Sequence, residues 1–210
     1  MSKNLKRANV DFVVCACNTA HAFQKDIEEG CGEVPFVSMI EVTSNKVLEN
    51  IEQTGGSKKC GILGGGGCIE AGLFQRSLSA RGIEPVTPCK ENQDLLQSII
   101  YRIKAGDKGD EVIQDFVTLL KELKEENNCS QIILGCTELP LIIEESMAIY
   151  DGVSAENLVD SSEVMVEAVV RIAKGDLEIE QAMDFSSEGH KEKSSTAEIL
   201  STAASAELAE

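Results

Sequence analysis

The chain has 210 residues, 42% hydrophobic and 26% charged, which is enough apolar material for a packed core and suits one large domain or two small lobes. Nineteen basic residues against thirty-six acidic ones give a formal charge of -17, a surface that repels phosphate backbones, so no nucleic-acid partner is expected. No stretch approaches the apolar length that spans a bilayer, and the basic opening Met1-Ser2-Lys3-Asn4-Leu5-Lys6-Arg7 lacks the apolar segment of a signal peptide, so the expectation is a soluble, cytoplasmic protein without a membrane role.

Residues 10–16 are a short, β-branched apolar run and predict a buried parallel strand. The polar Cys17-Asn18-Thr19 follows, then a helix over 20–29. Residues 35–40 predict a second strand, and the spacing of Val42, Val47, Leu48 and Ile51 predicts a helix over 41–53 that Gly55-Gly56 stops. A third strand over 59–63 runs into Gly64-Gly65-Gly66-Gly67, followed by a helix over 69–81 and a short strand over 83–88. Helices follow near 91–104 and 110–126, the second with the apolar stripe Val112, Ile113, Phe116, Leu119, Leu120 and Leu123. A strand over 130–135 delivers Cys136-Thr137-Glu138, and a last strand over 157–160 leads into a closing helix over 161–174. Strands alternating with helices imply an α/β fold built on parallel sheet. Beyond Gly175 the composition turns to Ser, Ala and Glu, with nine acids against two lysines over 176–210, and residues 186–210 read as a poorly ordered tail.

Two of the eight cysteines stand apart. Cys17 and Cys136 each end an apolar strand and are followed by small polar residues. In open α/β sheets ligands bind outside the carboxyl ends of strands, where turn N–H groups favour a thiolate. Asn and Thr side chains add donors for an anionic ligand. A thiol pair facing one cleft can take the α-proton of an amino acid from one face and return a proton on the other, using neither metal nor cofactor. A lone thiol at a strand end reads more readily as a small buried hydrophobe, and two with matching followers leave the readings balanced. No Cys-x-x-Cys pair exists and His21 and His190 are far apart in sequence, so no metal site is expected.

The motifs Cys17-Asn18-Thr19-Ala20-His21 and Gly135-Cys136-Thr137-Glu138-Leu139-Pro140 resemble the paired signatures of the aspartate/glutamate racemase superfamily. The segments 60–63, 72–76, 81–88 and 99–106 are also similar, and the resemblance spans about residues 10–175. His21 and Glu138 resemble the aspartate racemase branch, since glutamate racemases usually carry a His where Glu138 stands. The resemblance implies two pseudo-symmetric parallel-sheet lobes with the site between them, and a homodimer. Cys17 and Cys136 are then the catalytic acid–base pair, with Asn18, Thr19, Lys104, Thr137 and Glu138 as substrate-binding residues. Lys104 is equally readable as a solvated residue near a helix C-terminus, and His21 as a residue that caps or packs its helix. Cys68 reads as passive packing or as a third active-site thiol. The four glycines read as an anion-binding loop or a plain turn.

The family pattern places further βα units before the first cysteine, and this chain reaches Cys17 almost at once. The first lobe is therefore expected to be incomplete, with at least one βαβ unit missing. The implied organisation is a remnant of the first lobe over 1–41, a second lobe over 42–160, a closing helix over 161–175 that packs back on the first lobe, and an acidic tail over 176–210. The expected function is cofactor-independent racemisation of a small amino acid, with aspartate as substrate. Two other readings accompany it: a catalytically inactive binding or structural homologue, and a related isomerase such as a hydantoin racemase or maleate isomerase.

Overall fold

A computed structural model describes residues 1–183 as an α/β fold with two parallel sheets. A small sheet pairs β1 (Val13–Val14) with β2 (Phe36–Val37). The main sheet holds β3 (Lys59–Gly64), β4 (Glu84–Val86), β5 (Gln131–Gly135) and β6 (Leu158–Asp160) in the order β4-β3-β5-β6, all parallel.

The main sheet is covered on both faces, as a parallel sheet must be. Leu63, Ile132 and Leu134 point into a cluster with α6 (Lys90–Lys104) and α7 (Asp110–Lys121). Cys60, Ile62, Ile133 and Val159 point the other way, against α3 (Met39–Thr54) and α5 (Leu73–Ala80). The alternation is the two-residue period of the strand, and it explains why β3 and β5 read as continuous apolar runs.

α3 carries the chain from the small sheet to the main one and packs along α9 (Ser161–Lys174). Val37, Met39, Val42, Met165 and Ala168 form the seam, so the closing helix joins the two sheets through a shared apolar cluster. Arg81, its side chain fully buried, ties α3 to the end of α5 through Glu41 at 2.8 Å, Asn45 at 2.9 Å and Ser77 Oγ at 2.7 Å.

Several elements differ from the sequence expectation. The strands over 10–16 and 35–40 shrink to two residues each, because each has a single partner and helix α3 already begins at Met39. β1 is therefore an edge, and Val14 is exposed on it. The helix over 20–29 is a 3-10 turn over Thr19–Phe23 followed by α2 (Gln24–Cys31). The helix over 69–81 is broken at Gly72, whose φ of 62° separates α4 (Gly66–Glu70) from α5. The last turn expected of α7 is a π-helical turn over Glu122–Glu126. There the buried Glu122 accepts hydrogen bonds from Cys89 N at 2.9 Å and Asn92 Nδ2 at 2.7 Å, satisfying the start of α6 from another helix.

Three helices carried no expectation. α1 (Ser2–Arg7) lies on α2, and α8 (Ile143–Ile149) follows a 3-10 turn over Leu139–Ile142. α10 (Ile179–Met183) falls inside the segment read as an acidic tail from 176, because Leu177 and Ala182 bury themselves on the α3–α9 seam. The tail expected over 186–210 lies outside the described residues. Among the described residues no helix is long and apolar enough to cross a membrane.

Candidate functional site

Cys68 follows β3, Cys136 follows β5 and Ser161 follows β6, so the parallel main sheet collects these three at the carboxyl ends of its strands. Cys17, at the end of β1, is brought to the same edge by its neighbour Asn18. This is the edge at which α/β folds bind ligands. Gly135 lets β3 and β5 meet closely there: a Cβ on it would stand 3.2 Å from Leu63 O and 3.3 Å from a Phe74 ring carbon.

Asn18 joins the two sheets across this edge. Buried at 3% exposure, it donates from Nδ2 to Gly135 O at 3.1 Å and to Ser161 Oγ at 2.9 Å, and Ser161 Oγ donates to Leu134 O at 3.0 Å. A backbone carbonyl can only accept, so the amide orientation follows from Gly135. Both Nδ2 hydrogens are then used, while Oδ1 is buried with no hydrogen-bond partner. Asn18 thus seats the Cys17 loop on the residue just before Cys136.

His21 works on the same loop from behind. Met39 N donates to Nε2 at 3.1 Å, which makes Nε2 the acceptor and leaves Nδ1–H to donate to Cys17 O at 2.9 Å. The ring is buried, stacks obliquely on Phe36, and burial lowers its pKa against the backbone carbonyls that favour its charge. With both nitrogens committed to the backbone, His21 positions Cys17.

Cys17 is exposed and Cys136 half-buried. Cys136 Sγ donates to Glu138 Oε2 at 2.9 Å, and Thr137 Oγ1 donates to the same oxygen at 3.1 Å. Lys104 Nζ, at the end of α6, stands 3.6 Å from Glu138 Oε1. Burial, then the hydrogen bond and negative charge of Glu138, push the Cys136 thiol up to about 12. Burial opposes the charge on Glu138, but the bonds from Cys136 and Thr137 and the charge of Lys104 hold its carboxyl below the usual range. Cys136 is therefore a thiol at neutral pH, its proton directed at a carboxylate. Lys104, open to two readings from sequence, reaches this loop, although half of its side chain is exposed.

Thr19 is exposed beside the glycine loop, its Cγ2 3.0 Å from where a Cβ on Gly67 would stand. That loop is held from α6: Gly66 N donates to Gln97 Oε1 and Gln93 Nε2 donates to Gly64 O, both at 2.9 Å. The glycines are thus a secured turn. Gln93, Gln97 and Ser161 were not singled out from sequence. Ser161 carried a usable signal, since it ends a strand and opens a helix as the two cysteine loops do. The glutamines lie one helical turn apart on α6, a spacing that any amphipathic helix shares. Among the described residues, no group of three or more His, Cys, Asp or Glu is arranged to hold a metal ion.

Residues 1–174 match the family profile described as Asp/Glu/Hydantoin racemase. The chain is 26% identical over 168 residues to a glutamate racemase of Hydrogenobaculum sp. (strain Y04AAS1), covering 80% of this chain and 60% of that protein. It is also 26% identical over 169 residues to the broad specificity amino-acid racemase RacX of Bacillus subtilis (strain 168), covering 79% of this chain and 66% of RacX. Among solved structures, an aspartate racemase homologue from Pyrococcus horikoshii OT3 superposes with a TM-score of 0.66 at 29% identity, covering 82% of this chain and 71% of that one. The chain thus spans about three fifths to seven tenths of these relatives.

Proposed function

Because the chain belongs to the Asp/Glu/hydantoin racemase family, we propose that it racemises a small acidic amino acid, aspartate, by two proton transfers between Cys17, Cys136 and the substrate α-carbon. The observation that carries this reading is Asn18, whose amide bonds Gly135 O and Ser161 Oγ and so anchors the Cys17 loop against the strand end that presents Cys136.

In one direction the Cys17 thiolate removes the α-proton and the Cys136 thiol delivers its own proton to the opposite face. The C–H bond breaks on one side as a new one forms on the other, and the two sulfurs exchange protonation states. Cys136 enters as the acid, because burial and Glu138 keep its proton in place. Once that proton leaves, Lys104 beside Glu138 offsets the second negative charge in the loop. Asn18, buried and bonded to Gly135 O and Ser161 Oγ, serves this site by holding the Cys17 loop in place. Thr19 and Thr137 supply hydroxyls for its carboxylates, which carry the charge that develops at the α-carbon. Two thiols suffice for both transfers, so the proposed reaction uses neither pyridoxal phosphate nor a metal. Aspartate is favoured by Glu138, which stands where the resemblance places His in glutamate racemases.

The test is incubation of the chain with L-aspartate in deuterium oxide, followed by chiral chromatography and NMR. Deuterium is expected at the α-position together with D-aspartate. Cys17→Ala and Cys136→Ala should each abolish inversion, while any exchange left in either variant is confined to the face of the surviving thiol. Turnover that persists after loss of both cysteines would sink the mechanism.

A further inference from the structure

Cys68 is fully buried in α4, yet it lies in the layer of groups around Cys17. Its Sγ is 3.6 Å from where a Cβ on Gly64 would stand, Gly64 pairs with Gly135, and Gly135 O accepts the amide of Asn18, next to Cys17. From the other side, Thr19 touches Gly67, next to Cys68. The Cys17-Asn18-Thr19 and Gly67-Cys68 segments therefore pack directly on one another, one thiol exposed and the other buried beneath.

We propose that Cys17 is an oxidation site for hydrogen peroxide and that Cys68 resolves it, so that the two close a reversible disulfide. In the first step the Cys17 sulfur displaces water from peroxide and becomes a sulfenic acid, giving up two electrons. In the second the Cys68 sulfur attacks the sulfenic sulfur, the S–S bond forms, and the hydroxyl leaves as water with the Cys68 proton. Overall two thiols lose two hydrogens and one peroxide becomes two waters.

The order follows from exposure, since peroxide reaches Cys17 first and Cys68 only through it. Electrostatics agree with the proximity: burial, and then the neighbouring Cys17 charge, push the Cys68 thiol up to about 11. Two other thiols compete less well. Cys15 directs its Sγ at Cys17 O at 3.9 Å, and a bridge across one intervening residue is strained. Cys136 directs its S–H at Glu138 Oε2 at 2.9 Å, so its sulfur is already engaged within its own loop.

The experiment treats the full chain with limiting hydrogen peroxide and maps cysteine peptides by mass spectrometry without reduction. The expected result is a dominant Cys17–Cys68 cross-linked peptide, lighter by two hydrogens than its separate parts and released by dithiothreitol. At the same dose, Cys68→Ser and Cys68→Ala should carry Cys17 on to sulfinic acid, which dithiothreitol does not reverse. If those variants fail to fold, the wild-type map decides alone. A dominant bridge from Cys17 to Cys15 or Cys136, or sulfinic acid at Cys17 without any bridge, overturns the proposal. The readout is a mass, so it decides for or against the bridge whether or not the chain racemises aspartate.

Discussion

Replacing Glu138 with Gln tests the electrostatics of the Cys136 loop without touching either sulfur. In the native protein burial, the 2.9 Å hydrogen bond to Glu138 and the charge of Glu138 together raise the thiol to about 12 from an ordinary 9.0, with Lys104 opposing them. Glu138→Gln removes the charge, leaves the burial, and frees Lys104 to face the sulfur. The Cys136 pKa should therefore fall, and burial should stop it above the ordinary value. Each unit of fall raises the thiolate fraction at about pH 8 by about tenfold. Lower basicity cuts the intrinsic nucleophilicity of that thiolate by about threefold, so alkylation gains about threefold per unit. The whole span of about three units caps the gain near thirtyfold, and a few-fold increase is the expected outcome. The assay is a timed iodoacetamide pulse, with Cys136 read by peptide mass and the exposed Cys89 as internal reference. Equal or slower Cys136 labelling in a variant with an unchanged circular-dichroism spectrum refutes the reasoning.

Asn18→Ala should destabilise the chain by about 1–3 kcal/mol in urea unfolding, because it strips Gly135 O and Ser161 Oγ of a buried donor. Asn18→Asp should fail to rescue it, as a carboxylate cannot donate to a carbonyl; a loss below about 0.5 kcal/mol in the Ala variant would show that the link holds nothing. His21 has a folded pKa below its ordinary 6.5, so its contribution is present above that value and is lost as pH falls through it towards the folded pKa. Wild type should thus lose stability more steeply than His21→Gln on acidification below about pH 6.5, by at most about 1.4 kcal/mol per pH unit. Parallel profiles for the two proteins in urea titrations would remove His21 from the account.

The main sheet and the chemistry-bearing loops were legible in the amino-acid order alone. β3 and β5 are buried on both faces, which demands continuous apolar runs, and the closing helix keeps its 3.6-residue period through Met165 and Ala168. Cys17 and Cys136 stood out because a strand end, a thiol and small polar residues occur in the same order twice. The rest waited on tertiary contacts. Strand length at β1 and β2 depends on how many partners a strand finds, which local pattern does not encode. The helix at Ile179–Met183 exists because Leu177 and Ala182 find the α3–α9 seam, while their neighbours in sequence read only as an acidic segment. The roles of Asn18, His21 and Ser161 arise from contacts 117, 18 and 27 residues away in sequence. A polar side chain on one sequence carries no mark of which distant carbonyl or amide it will meet. Folding brings those partners within hydrogen-bond range, and only then does an asparagine become the link between two sheets.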